Sequence, residues 1–188
     1  MLYLRSREVP AALAGAVGTV TVLWVLGFAS DYLNEEGGLG LLAVVAGTAI
    51  AGSGLAGADI DLDRTGAIAW PSRRAAHIIA IVATVIGIVT ATALTGDQLA
   101  PAAQITRDAI GMSGVIGLGA ATLGVSRAWI PLLTWTLLAT LWAPPSTATG
   151  QQVLTWMIQP SGTTPATSTA LILGATGVVA YAILGPRP

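Results

Sequence analysis

Residues 39–58 read LGLLAVVAGTAIAGSGLAGA, an apolar run that carries no ionised side chain and lies between Glu36 and Asp59. At a rise of about 1.5 Å per residue, a helix of this length spans about 30 Å, which is the thickness of the hydrocarbon core of a bilayer. The run therefore predicts a membrane-spanning helix.

Five further spans follow from the same spacing of charges. Uncharged runs of similar composition lie between Glu8 and Asp31, between Arg74 and Asp97, and between Asp108 and Arg127. Residues 128–186 carry no charge either, but a part rich in Pro, Ser, Thr and Gly divides this stretch into two spans. The six predicted spans cover residues 9–29, 39–58, 75–95, 109–126, 128–143 and 168–185, with a loop at 59–74 and a segment at 144–167.

The composition of the whole chain is typical of a membrane protein. Of its 188 residues, 54% are hydrophobic and only 9% are charged, and the mean hydropathy is +0.76. Soluble domains carry about 25% charged residues, so a soluble chain of this composition could not cover its surface with ionised groups. We expect one all-α transmembrane domain over residues 1–188, with the first helix retained rather than cleaved as a signal peptide.

Without cysteine there are no disulfides or thiolate ligands, and a net charge of −1 gives no basis for binding nucleic acid.

The arginines predict the orientation. All eight basic residues are arginine, and short cytoplasmic loops retain Lys and Arg. In a six-span arrangement Arg107 alone lies on one side, and the remaining arginines lie on the other: Arg5, Arg7, Arg64, Arg73, Arg74, Arg127 and Arg187. Both termini and the loop 59–74 are therefore predicted to be cytoplasmic in a multi-pass protein of the plasma membrane, and the segment 144–167 is predicted to face outward.

Small residues predict how the spans pack, because helices in lipid associate through close van der Waals contact. The second span carries Gly47, Ala51, Gly52, Gly54 and Gly57, and the fourth carries Gly111, Gly114, Gly117, Ala121 and Gly124. We interpret these residues as packing faces, and a flexible gate element is the alternative. No predicted span contains Asp, Glu, Lys or Arg, whereas transporters driven by ion gradients usually place such residues inside the membrane. The energy for any transport is therefore expected to come from elsewhere.

One serine motif invites a catalytic interpretation. The sequence Gly111-Met112-Ser113-Gly114 resembles the Gly-x-Ser-Gly motif of rhomboid-type intramembrane proteases. A serine nucleophile needs a base within hydrogen-bond reach, yet His77, the only histidine, begins the third span on the opposite side of the membrane. We therefore reject a protease, predict no catalytic residue, and interpret His77 as an interfacial side chain.

The loop 59–74 orders its charges by type, with acids first and arginines last. Six of its residues are predicted to form a partner-coupling surface: Asp61, Asp63, Arg64, Trp70, Arg73 and Arg74. Ser72 is predicted to cap the helix that follows. A membrane-anchoring loop that needs no partner is the alternative. The alternating carboxylates that begin at Asp59 lack the Gly and Glu of an EF-hand, so we predict no metal site, although loose Mg²⁺ binding stays open.

Residues 151–159 read QQVLTWMIQ, a stretch that is too short to span and is followed by Pro160. Val153, Trp156 and Met157 are predicted to anchor a short interfacial or re-entrant helix, since indole favours the headgroup boundary. A loop with one aromatic anchor is the alternative.

The six-span topology, together with residues 61–77, DLDRTGAIAWPSRRAAH, resembles the membrane subunit of ABC-2-type exporters and in particular small actinobacterial permease-like proteins. The resemblance implies that the loop after the second span packs on a cytoplasmic nucleotide-binding subunit. It also implies that two six-helix halves form the pathway and that short outer helices precede the last span. It assigns the coupling segment to residues 64–74 and the outer re-entrant element to residues 151–158.

The chain has no Gly-x-x-x-x-Gly-Lys-Ser/Thr loop, so any ATPase must be a separate subunit and no cofactor is expected in this chain. The leading hypothesis is a permease subunit that pairs with a second membrane subunit and with cytoplasmic ATPases, and that exports an amphipathic or peptide-like substrate. The alternative is a non-transporting scaffold or accessory subunit. A membrane enzyme acting on lipid-linked substrates also stays open while Asp59, Asp61 and Asp63 are unexplained.

Overall fold

The computed structural model describes residues 9–29, 38–55, 70–95, 99–142 and 147–187, and every regular element in these ranges is helical. The helices are α1 (Val9–Ala29), α2 (Gly38–Gly52), α3 (Trp70–Ala91), α4 (Ala102–Thr122), α5 (Trp129–Trp142), α6 (Thr149–Leu154) and α7 (Thr164–Leu184). Short 3₁₀ turns follow or precede them at Ser53–Leu55, Thr92–Thr95, Val125–Arg127 and Trp156–Ile158. The all-α prediction is confirmed over these ranges.

The helix bounds differ from the predicted spans at both ends, and α4 ends at Thr122 rather than at residue 126. α3 begins at Trp70 rather than at residue 75, and α4 begins at Ala102 rather than at residue 109. The predicted N-cap, Ser72, lies inside the first turn of α3, so the capping prediction was wrong. The physical reason is that a proline is well tolerated in a first helical turn, as Pro71 is here. A helix also continues past a charged residue where that residue is paired or reaches solvent.

Three helices in the described ranges are long and apolar enough to cross a membrane: Gly38–Leu55, Trp70–Leu94 and Thr164–Leu184. Large apolar side chains also lie on the outside of the bundle, including Leu94, which is 89% exposed, Leu141 at 76% and Ile183 at 68%. A soluble monomer rarely exposes apolar patches of this extent. These observations support a helical membrane protein.

α4 lies at the centre of the bundle. It packs on α2, α3 and α5, and its most extensive contact is with α7. A Cβ atom added at Gly117 would lie 2.9 Å from the carbonyl oxygen of Gly177, and one added at Gly174 would lie 2.6 Å from Ile110 Cγ2. One added at Gly114 would meet the backbone of Leu173. The prediction that small residues on the fourth span form a packing face is confirmed at Gly114 and Gly117, because the two backbones touch there.

Two other glycines that were predicted to pack differ from each other. Gly52 of α2 does pack, since a Cβ atom there would lie 2.7 Å from Ile116 Cγ2. Gly124, by contrast, has a φ of 90° and forms the turn after α4. Glycine adopts this conformation without the steric cost that a side chain brings. Gly57 lies outside the described residues.

The ends of the helices meet in two groups. At one end, the Tyr181 hydroxyl of α7 donates a hydrogen bond to the Leu55 carbonyl after α2. The Arg187 guanidinium donates to the carbonyl of Thr122, the last residue of α4, at 3.0 Å. A cation at a helix C-terminus is favourable because it opposes the negative end of the helix dipole.

We call this the arginine end, because it holds every arginine of the described ranges except Arg107: Arg73, Arg74, Arg127 and Arg187. At the opposite end, Gly40 of α2 packs against Leu99 and Ala100 before α4. Consecutive long helices therefore run in opposite directions between the two ends.

Candidate functional site

A cavity of about 510 Å³ lies between α1, α2 and α3 at the arginine end. α3 contributes a stripe of residues at helical spacing, from Arg73 through His77 and Ile81 to Thr84. Residues four apart lie on one face of a helix, so these side chains line the same groove. Its volume is within the range of about 300–1,000 Å³ that is typical of small-molecule sites.

Small side chains leave this space open. The facing surfaces contribute Ala12 from α1, Ala51 and Gly54 from the end of α2, and Ala76 and Ala80 from α3. α1 packs mainly on α2 and makes little contact with α3. A groove between α1 and α3 therefore remains unfilled over the length of the α3 stripe.

Two of the polar side chains that line the cavity lie toward the arginine end, where Arg73 is exposed and His77 is half-buried. Among the described lining residues, Thr84 adds a hydroxyl at the other end of the groove. Arg74, the next residue along, turns away from the cavity and is only 7% exposed. Its guanidinium packs on Gly185 beyond α7, where any Cβ atom would meet it at 2.7 Å. The neighbouring arginines thus have different roles: Arg73 faces the groove, and Arg74 ties α3 to α7.

A second polar cluster lies at the opposite end, around a buried ion pair in α4. Arg107 Nε lies 2.8 Å from Asp108 Oδ1, and the two side chains are 4% and 2% exposed. The same guanidinium donates to the Pro160 carbonyl at 3.0 Å and to the Met157 carbonyl at 3.5 Å. A buried ion pair is stable only where further hydrogen bonds satisfy the charges, and these carbonyls supply them. Arg107 therefore fastens the segment 157–160 to α4.

The predicted outer element is a short helix, α6, followed by a 3₁₀ turn, and it is anchored to protein. Trp156 and Met157 are fully buried. The Trp156 ring lies against Gly111 of α4 and meets the Trp135 ring edge-on, with centroids 6.4 Å apart. Val153 is 38% exposed. The sequence predicted a headgroup contact for the indole, but the absence of a side chain at Gly111 lets it enter the bundle instead.

The predicted partner-coupling surface is described only in part. Asp61, Asp63 and Arg64 lie outside the described residues, as does Asp59. Trp70 is half-buried in the first turn of α3, and Arg73 is exposed beside it. Arg74 does not share that surface, because it is buried against α7.

Two predictions about chemistry concern Ser113 and metal ligands. The Ser113 hydroxyl is buried halfway along α4 and makes no hydrogen bond in the described ranges, so no base reaches it. Within the same ranges, no group of three His, Asp or Glu residues could hold a metal ion.

Sequence reasoning missed two features of the site. Arg107 and Asp108 were placed beyond the end of a span, although two adjacent opposite charges flanked by helix-forming residues could have indicated a buried pair. The cavity had a signal as well, since small residues recur at Ala76 and Ala80 beside Arg73.

No protein-family model, no curated protein and no solved structure matches this chain.

Proposed function

We propose that this chain crosses the plasma membrane six times, with both termini on the cytoplasmic side. The long helices alternate in direction, and their outward faces carry apolar side chains. All the described arginines other than Arg107 lie at one end, and Arg107 is neutralised by Asp108 at the other. The rule that cytoplasmic loops retain arginine then assigns the arginine end to the cytoplasm.

We further propose that the chain is the permease subunit of an ATP-driven, ABC-type exporter whose ATPase is a separate cytoplasmic subunit. The observation that carries this proposal is the contact of the first turn of α3 with the end of α7. The first turn of α3 begins at Trp70 and presents Trp70 and Arg73 at the arginine end. In the next position Arg74 packs on Gly185 at the end of α7. A partner that moves this turn would therefore also move α7.

The contact between α7 and α4 extends this path to the outer side. The backbones of the two helices touch at Gly114 and Gly177, so neither can shift without displacing the other. α4 in turn holds the outer element through Arg107 and Gly111. Movement of the first turn of α3 would therefore also displace the outer segment 149–160. This behaviour is expected of a subunit driven by an external ATPase.

The pathway is proposed to lie between this chain and a second membrane subunit. The interior around α4 is filled by backbone contacts and by residues such as Met112 and Ile116, which are buried. A smaller cavity of about 230 Å³ lies beside Ile116 between α2 and the start of α5, and the close packing of α4 on α7 supports a pathway outside this contact.

The rigid contact between α4 and α7 also favours one competing function, that of a non-transporting accessory subunit. A bundle locked by glycine contacts and by a buried ion pair serves equally well as a scaffold. The two proposals differ in whether an ATPase belongs to the complex.

Purification of the full chain in mild detergent, followed by mass spectrometry of bound proteins, tests the choice. We expect an ATPase to co-purify, and we expect Arg64→Gln and Trp70→Ala to reduce its recovery. Arg127→Gln is the matched control, since Arg127 is exposed at the same end but lies after α4. A stable complex that contains no ATPase would support the accessory role and overturn the permease proposal.

A further inference from the structure

We propose that the cavity between α1, α2 and α3 is a binding site for one acyl chain of an anionic phospholipid, with the phosphate group beside Arg73. This inference does not depend on whether the chain transports anything. The length, the lining and the charge of this groove support it.

The groove has the depth of one leaflet. From Arg73 to Thr84, α3 rises about 16 Å at about 1.5 Å per residue. Half of a hydrocarbon core that is about 30 Å thick is about 15 Å. A phosphate group at Arg73 would therefore lie at the membrane surface, and the chain below it would reach the middle of the bilayer near Thr84.

The lining favours an acyl chain over a peptide. Below His77, the described walls come from Ala80 and Ile81 of α3 and from Ala51 of α2, and Thr84 supplies the one polar side chain among these described residues. A peptide segment buried in lipid must satisfy each backbone amide group, and this wall offers too few partners. An acyl chain brings no polar group and gains the burial of its methylene groups against these side chains.

The positive charge at the arginine end of the cavity favours an anionic headgroup. Arg73 is exposed at the arginine end of the cavity. A basic residue at the edge of a pocket between membrane helices binds an anionic headgroup by charge-assisted hydrogen bonds.

Native mass spectrometry of the full-length protein in a neutral detergent provides the test. The probes are phosphatidylglycerol, phosphatidylcholine with the same acyl chains, and glycerol 3-phosphate, which has a phosphate but no tail. We expect phosphatidylglycerol to bind about fivefold more tightly than phosphatidylcholine, which corresponds to about one basic residue near a membrane surface. We expect no retention of glycerol 3-phosphate.

Two pairs of variants locate the binding. Arg73→Gln should lower the affinity for phosphatidylglycerol about fivefold and weaken phosphatidylcholine less, because the choline cation already offsets the phosphate charge, whereas Arg127→Gln should change neither. Ala80→Leu, which fills the groove, should weaken both lipids by about tenfold. Ala83→Leu, an exposed position of α3 outside the lining, should weaken neither.

The proposal is overturned if Ala80→Leu and Ala83→Leu bind lipid equally, or if Arg127→Gln acts as strongly as Arg73→Gln. Retention of glycerol 3-phosphate would overturn it as well, because a headgroup site would then exist without the acyl groove. Tryptophan fluorescence and size-exclusion elution confirm that each variant keeps the fold, and Ala76→Leu fills the same groove if Ala80→Leu does not.

Discussion

The crossing of α4 and α7 at Gly177 gives the sharpest stability prediction. In Gly177→Ala the new methyl group would lie 2.6 Å from the carbonyl carbon of Gly114, whereas carbon atoms pack at about 3.5–4.0 Å. The two helices must therefore separate by about 1 Å, because a backbone atom cannot rotate away. Overpacking typically costs about 1–3 kcal/mol, and the upper end applies to a backbone neighbour. The better helix propensity of alanine offsets about 1 kcal/mol, which leaves a net loss of about 2 kcal/mol.

Gly87→Ala is the matched control, since a Cβ atom at Gly87 of α3 has no neighbour within 4 Å. That variant gains the propensity term alone, so the two variants should differ by about 3 kcal/mol. For a chain of this size, such a difference corresponds to an unfolding temperature on the order of 6–12 °C lower for Gly177→Ala. Circular dichroism of the detergent-solubilised protein during heating measures it. Equal unfolding temperatures for the two variants would refute the close backbone contact.

Three further predictions concern other parts of the bundle. Arg107→Met leaves Asp108 buried and unpaired, so we expect a loss of about 3–5 kcal/mol in detergent unfolding, most of which adding Asp108→Asn should restore. An unchanged midpoint for Arg107→Met would contradict the buried ion pair. Tyr181→Phe removes a buried hydrogen bond and should lower stability by about 1–2 kcal/mol in the same measurement. Because the chain has no cysteine, Thr147→Cys and Ser126→Cys, both at exposed positions, can report topology. An impermeant maleimide should label Thr147→Cys in intact cells and Ser126→Cys only after permeabilisation, and the reverse pattern would overturn the orientation.

The positions of the long helices could be predicted from the spacing of charges, because an apolar run in lipid has few alternatives to a helix. The prediction was least accurate where charged residues begin a helix. It began the third and fourth spans after Arg74 and Asp108, yet α3 and α4 include both residues. Whether a charge bounds a helix depends on its partners, and these come from α7 and from the segment 157–160, which are distant in sequence.

The candidate site was less accessible to sequence reasoning for the same reason. A cavity is a property of the space between helices, and no single helix encodes it. The small residues of α2 were assigned to packing, but Ala51 and Gly54 also line the groove. Trp156 was assigned to the membrane surface on its chemistry alone, and only the open space beside Gly111 explains its burial.

The central position of α4 has a consequence for how the protein is made. α4 is not one of the helices in the described ranges that are apolar enough to cross a membrane unaided, and it carries Arg107 and Asp108. Its surface is covered by its neighbours, above all by α7, which the ribosome synthesises after the other described helices. A newly made α4 therefore has to remain inside the insertion machinery, or beside α2 and α3, until α7 emerges. Truncation before α7 should leave a chain that cellular quality control degrades.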